Sequence, residues 1–124
     1  MIMGDPAHHA RMAREKREGA LQEYQSGRFT NVGDLAFRAV EQAIEVAASL
    51  EGVHFHSRPR TAHAERDRWA RDVFPGIALD LNVLRGAYGD LGYDGLNGRR
   101  AREALEAMER ILGEIEKRSG VRLR

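Results

Sequence analysis

The chain has 124 residues, the length of one domain with one core, and 20 Lys and Arg against 19 Asp and Glu leave a formal net charge of +1. That balance gives no overall field for tight, non-specific attraction to nucleic acid or membrane, and the absence of cysteine excludes disulfides and thiolate chemistry. No stretch approaches the roughly 20 apolar residues of a membrane helix, and Met1-Ile2-Met3-Gly4-Asp5 lacks the apolar run of a signal peptide. A single soluble, cytoplasmic domain over residues 1–124, with no membrane association, is the expectation.

Asp5-Pro6 supplies a cap carboxylate followed by proline at a first helical position, which predicts a helix to about Tyr24, closed by Gly27. Its early apolar positions, Ala10 and Ala13, are small, so residues 1–10, with His8 and His9, are expected to be frayed and solvated. A second helix is predicted from about Asn31 to Leu50. Ala36, Val40, Ala43, Ile44 and Ala47 form one apolar stripe of it, and Leu35, Ala39, Val46 and Leu50 another. Only Arg38, Glu41, Gln42, Glu45 and Ser49 remain as a polar strip, so this helix should sit centrally. Gly52 ends it.

Thr61 is placed to cap a third helix reaching about Val73, after which Pro75-Gly76 interrupts the chain. A fourth helix carries Ile77, Leu81, Leu84 and Tyr88. Residues 89–98 hold so much glycine that they read as a loop. The last helix, from about Arg99 to Arg118, puts Ala101, Ala104, Leu105, Met108, Ile111, Leu112 and Ile115 on one face and alternating charges on the other. No period-2 segment competes, so the fold class is all-α, an antiparallel bundle of four to five helices.

Groups able to titrate, bind phosphate or ligate a metal concentrate between the second and third helices, in His54-Phe55-His56-Ser57-Arg58-Pro59-Arg60-Thr61-Ala62-His63. A cationic side chain and an imidazole brought together there could cleave RNA. His63 would move a proton near neutral pH, and Arg58 would stabilise charge on the phosphate. The bland alternative is that His63 orders a helix start and Arg58 stays solvated. His54, His56 and His63 could in principle meet a zinc ion, but nothing else at ligand spacing supports one, so no metal is assigned.

Arg58, Arg60 and Arg66 beside the sole tryptophan, Trp69, form a candidate nucleic-acid or nucleotide-binding set through phosphate contact and stacking. Arg68 and Arg71 extend that series on other sides of the helix, Glu65, Asp67 and Asp72 dilute it, and Trp69 could equally be core. Asp90-x-Gly-x-Asp94-Gly95 has the start of a calcium loop, but Ala101 stands where the bidentate glutamate belongs, so a turn is preferred. Glycine-rich phosphate loops and Gly-x-Ser-x-Gly contexts are absent, and no cofactor is expected.

The order of elements resembles the HEPN-domain superfamily, small helical bundles found alone or beside nucleotidyltransferases. The resemblance spans about Glu15 to Lys117. It rests on Tyr24-Gln25-Ser26-Gly27-Arg28-Phe29, the Leu35-Ala36-Phe37-Arg38-Ala39-Val40-Glu41-Gln42-Ala43 helix, Thr61-Ala62-His63, and Leu84-Arg85-Gly86-Ala87-Tyr88 leading to Gly92-Tyr93-Asp94-Gly95. A closing helix rich in Ala and Glu completes it. The resemblance implies two functions. Ribonuclease members carry an arginine and a histidine a few residues apart, a spacing that Arg58 and His63 match, although Pro59 stands where those members have a polar residue. Other members bind proteins or nucleotides without catalysis. The leading expectation is such an interaction module, homodimeric through helix 2 or the last helix, with a protein of nucleotidyltransferase type, an RNA or a nucleotide as partner. The alternative is a metal-independent endoribonuclease using Arg58 and His63.

Overall fold

A computed structural model describes residues 5–55, 60–94 and 98–124. The described residues form α1 (Pro6–Gln25), α2 (Phe29–Leu50), α3 (Ala62–Val73), a 3₁₀ turn (Pro75–Ile77), α4 (Ala78–Asp94) and α5 (Gly98–Ser119), with no strand among them. The all-helical class is therefore as expected. No helix among the described residues is long and apolar enough to cross a membrane.

The Asp5 side chain accepts a hydrogen bond from the Ala7 amide at 3.0 Å, with Pro6 at the first helical position. That amide is one of the donors a helix start leaves unmatched. The predicted fraying of residues 5–10 is not found. His9 and Ala10 are buried, and His9 Nδ1 lies 2.7 Å from Gln42 Oε1 on α2. A polar contact across two helices therefore holds the first turns of α1, which weak apolar content alone would not. Met1–Gly4 lie outside the described residues.

The turn from α1 to α2 is set by Gly27, whose φ of 74° a side chain would make costly. There the Gly27 amide donates to the Tyr24 carbonyl and the Arg28 amide to the Glu23 carbonyl. This paired closure of a helix end returns the chain along the helix it has left. Gly52 repeats it at the end of α2, also at φ 74°, with the Val53 amide donating to the Ala48 carbonyl at 2.8 Å.

Helix α2 is central, as its two apolar stripes predict, and packs against α1, α4 and α5. Ala36, Ala39, Val40, Ala43, Ile44, Val46 and Ala47 are all buried. Leu35 is only half-buried and Leu50 is exposed. The whole predicted face of α5, from Ala101 to Ile115, is buried against α2 and α4. Burying each large aliphatic side chain of that face is worth about 1.5–3 kcal/mol relative to exposure. Two ion pairs fix the registers: Arg17 of α1 with Glu109 of α5 (2.6 and 3.1 Å), and Arg110 of α5 with Asp80 of α4 (2.9 Å).

Pro75 and Gly76 interrupt the chain as expected, and Ile77 belongs to the 3₁₀ turn rather than to α4. The reading of residues 89–98 as a loop is corrected, because α4 continues through the glycines to Asp94. Glycine lowers helix propensity by only about 1 kcal/mol per residue, and packing on α2 and α5 outweighs it. Gly95, Leu96 and Asn97 lie outside the described residues.

The residues after α5 return to the core, which the helical periodicity does not foretell. Leu123 is fully buried, and Glu116 accepts from the Leu123 amide (2.8 Å), the Arg124 amide (3.2 Å) and Arg124 Nε (2.8 Å). Partial burial pushes the Glu116 carboxyl up, but the bond from the Leu123 amide and those from Arg124 outweigh it, so the group sits below its ordinary value.

Two outcomes follow. Leu123→Ala should cost about 2–5 kcal/mol of unfolding free energy, read from denaturant midpoints at constant slope. Because folding lowers the Glu116 pKa, its contribution is complete above the unfolded glutamate value of about 4.3 and fades as pH falls through the lower folded value. In Glu116→Gln, that acid-limb loss of stability should be smaller than in wild type when midpoints are followed from neutral to acid pH.

Candidate functional site

The polar groups of the site come from two places, the polar strip of α2 and the first two turns of α3, with the Phe55 ring between them. On α2, Glu41 and Glu45 are four residues apart and therefore share one face. On α3, His63 and Arg66 are three apart and likewise adjacent. Packing α3 beside α2 brings the two pairs together. Arg66 Nε donates to Glu45 Oε1 at 2.9 Å and Arg66 Nη1 to Glu41 Oε2 at 3.0 Å. His63 Nδ1 lies 2.5 Å from the same Glu41 oxygen.

The carboxylate can only accept, so Nδ1 of His63 carries the proton in that contact. Arg66 Nη1, 3.3 Å from the same ring nitrogen, is then a neighbour rather than a donor to it. The two groups of α3 differ in exposure. The side chain of His63 is 71% exposed, whereas those of Arg66 and Glu45 are 13% and 3% exposed. Arg66 also lies over the Phe55 ring, 5.9 Å from its centre.

Of the residues expected to bind nucleic acid, Arg66 is thus turned onto carboxylates of its own chain. Trp69 is partly buried against the core, its ring set edgewise to Phe55 (6.1 Å) and Phe74 (6.3 Å). Arg60 is exposed at the approach to α3. Arg58 lies outside the described residues, and so does its spacing in space from His63. Arg68 is exposed, and Arg71 points the other way, toward Asp67 (2.7 Å), Asn82 Oδ1 (2.9 Å) and the Ala78 carbonyl (3.3 Å). The structure therefore groups His63 with Arg66 and separates Arg71 from both.

His54 is exposed, and His56 lies outside the described residues. Among the described residues, no group of three or more His, Asp or Glu side chains is placed to hold a metal ion. The preferred turn at Asp90–Gly95 is revised as far as Asp94, since that part is helix α4.

The residues that sequence reasoning missed are the acceptors. Glu41, Gln42 and Glu45 read only as part of a narrow polar strip, with no partners assigned; Glu45 is in fact buried, and all three receive groups from other helices: His63 and Arg66 from α3, His9 from α1. A signal was present. Polar residues confined to one narrow strip of an otherwise apolar helix, with carboxylates four apart, match an Arg and a His three apart on a following helix. Four open grooves on the bundle, one of about 620 Å³ between α1, Leu35 and Arg122, are lined by neither His63 nor Arg66.

Comparison of the chain with protein-family models, with characterised proteins and with solved structures returns no match.

An exposed His–Glu contact adds little to stability. His63→Ala should therefore shift the unfolding free energy by no more than about 1 kcal/mol in a denaturant titration, leaving a folded protein in which the loss of an imidazole can be read chemically.

Proposed function

We propose that the chain is a HEPN-like helical interaction module that self-associates as a homodimer and binds a protein or nucleotide-containing partner without catalysis of its own. The observation that carries this reading is the engagement of Arg66 by Glu45 and Glu41. A phosphate approaching that guanidinium would meet two carboxylates already bound to it, and one of them, Glu45, is buried. Arg66, one of the cations expected to contact phosphate, is thus engaged between α3 and α2.

The apolar faces of α2 and α5, first expected to form a dimer contact, are used within the chain. Self-association is instead assigned to α4. Leu79 is 79% exposed there. Such a two-fold contact places the same patch on both copies. A nucleotidyltransferase-type protein remains the partner that the family resemblance suggests.

A second reading, the metal-independent endoribonuclease, is favoured by one feature. Glu41 orients the His63 ring through Nδ1 and leaves the imidazole largely exposed, as a general base requires. In this reading His63 would act with Arg58.

Sedimentation equilibrium at micromolar concentration should give a dimer, and Leu79→Lys should shift it toward monomer; a wild-type monomer removes the self-association claim. Purified protein should leave a mixed RNA pool intact in excess chelator. Cleavage by wild type that disappears in His63→Ala would replace the module with the nuclease.

A further inference from the structure

We propose that the outer face of α1, with Leu35 of α2 on one side and Arg122 on the other, is a docking groove for an acidic segment of a partner protein that carries an aliphatic side chain among its carboxylates. The inference rests on the interaction-module reading and gives that module its partner surface.

The groove encloses about 620 Å³. Its lining on α1 runs from Arg11 to Gln22, about 16 Å along the axis at 1.5 Å per residue. An extended peptide of about five residues covers that length at roughly 3.3 Å per residue. The cations of the lining are Arg11, Arg14 and Lys16 of α1 and Arg122 beyond α5. Elsewhere on the bundle Arg17, Arg110, Arg118 and Arg124 are bound to carboxylates of the chain. Among the described residues, no carboxylate side chain pairs with any cation of the groove. Arg11 Nη2 lies 3.3 Å from His8 Nδ1, Arg14 Nη1 donates to the Arg122 carbonyl at 2.8 Å, and Arg122 Nη1 reaches the main-chain oxygen of Arg124 at 3.2 Å. The bond to a carbonyl positions Arg14 without cancelling its charge, and it draws Arg14 toward a second cationic residue. The place of Arg122 is fixed in turn, because the next residue, Leu123, is fully buried and its amide is bound by Glu116. The cations are therefore assembled before a partner arrives, which lowers the entropy that binding has to overcome.

The floor is apolar. Leu35 is half-buried, and a Cβ at Gly19 would stand 3.4 Å from Leu35 Cδ1. Glycine inside a helix lowers its propensity, and here the bare backbone leaves a shallow seat beside the Leu35 methyls. These features select among anions. Glu15 and Glu18 stand on the same face as the cations, so a continuous row of phosphates meets repulsion along it, whereas a peptide can set uncharged groups against them. No aromatic ring lines the groove for a base to stack on, and the Gly19–Leu35 seat suits an aliphatic side chain.

Fluorescence anisotropy of a labelled Glu-Glu-Leu-Glu-Glu peptide, titrated with the full chain at low salt, tests the groove. Saturable binding is expected, weakened about two- to fivefold by each of Arg11→Gln, Arg14→Gln and Lys16→Gln, and weakened further by added salt. Circular dichroism checks that these surface variants keep the fold. A peptide with glycine in place of its leucine should bind wild type about fivefold more weakly, and Leu35→Ser should abolish that difference. Gly19→Met, which fills the seat without removing a packed side chain, should abolish it as well. Absence of saturable binding, or binding that the three cation substitutions leave unchanged, would overturn the groove. An oligouridylate bound more tightly than the peptide, with the same dependence on the cations and none on Leu35, would make nucleic acid the occupant and sink the acidic-segment claim. The RNA-pool assay keeps the two readings apart: an intact pool with no peptide bound removes the groove alone, whereas cleavage removes the module.

Discussion

The fold depends on the near-complete enclosure of α2. A helix with apolar side chains on two stripes cannot be stable at a surface, and α1, α4 and α5 each cover part of it. Once those three are in place, the only part of α2 left for polar groups is one narrow strip. The middle of that strip does not reach bulk water freely, and its members take partners from other elements. Gln42 takes His9, and Glu41 and Glu45 take His63 and Arg66. The beginning of α1 and the seat of α3 are consequences of the same constraint.

The arrangement separates stability from placement. The bundle is held by burial of alanine, valine, isoleucine, leucine and methionine side chains, which is non-directional and tolerates small shifts. Bidentate ion pairs at Arg17–Glu109 and Arg110–Asp80, and the clamp of Glu116 on the last residues, add direction without much net energy. Helix α3 is the extreme case. It has little apolar burial and a high share of directional contacts.

For function, this means that the abundance of arginine in the chain is a poor guide to available positive charge. Arg66, Arg110, Arg118 and Arg124 all face carboxylates of their own chain. Positive charge available to a partner has to come from arginines such as Arg60 and Arg68, which are exposed and lie apart from that network. The interaction-module reading rests on this internal use of charge, and the nuclease reading rests on the exposure of His63.

The sequence by itself determined the helices, because apolar periodicity, Asp5-Pro6, Gly27, Gly52 and Pro75 are local signals acting within a turn or two. It also determined that α2 is central and which face of α5 is buried, because both follow from the count and spacing of apolar residues. Three matters were decided only by tertiary structure: the helical state of the glycine-containing end of α4, the burial of Leu123, and the pairing of Glu41 and Glu45 with His63 and Arg66. Each depends on a neighbour distant in the chain. Packing on α2 and α5 outweighs the cost of glycine, a pocket beside Glu116 receives a leucine, and a polar strip along one helix becomes buried once another helix lies over it. Local patterns carry no information about such neighbours, so the candidate site was legible as a cluster of cations but not as one already occupied by carboxylates of the same chain.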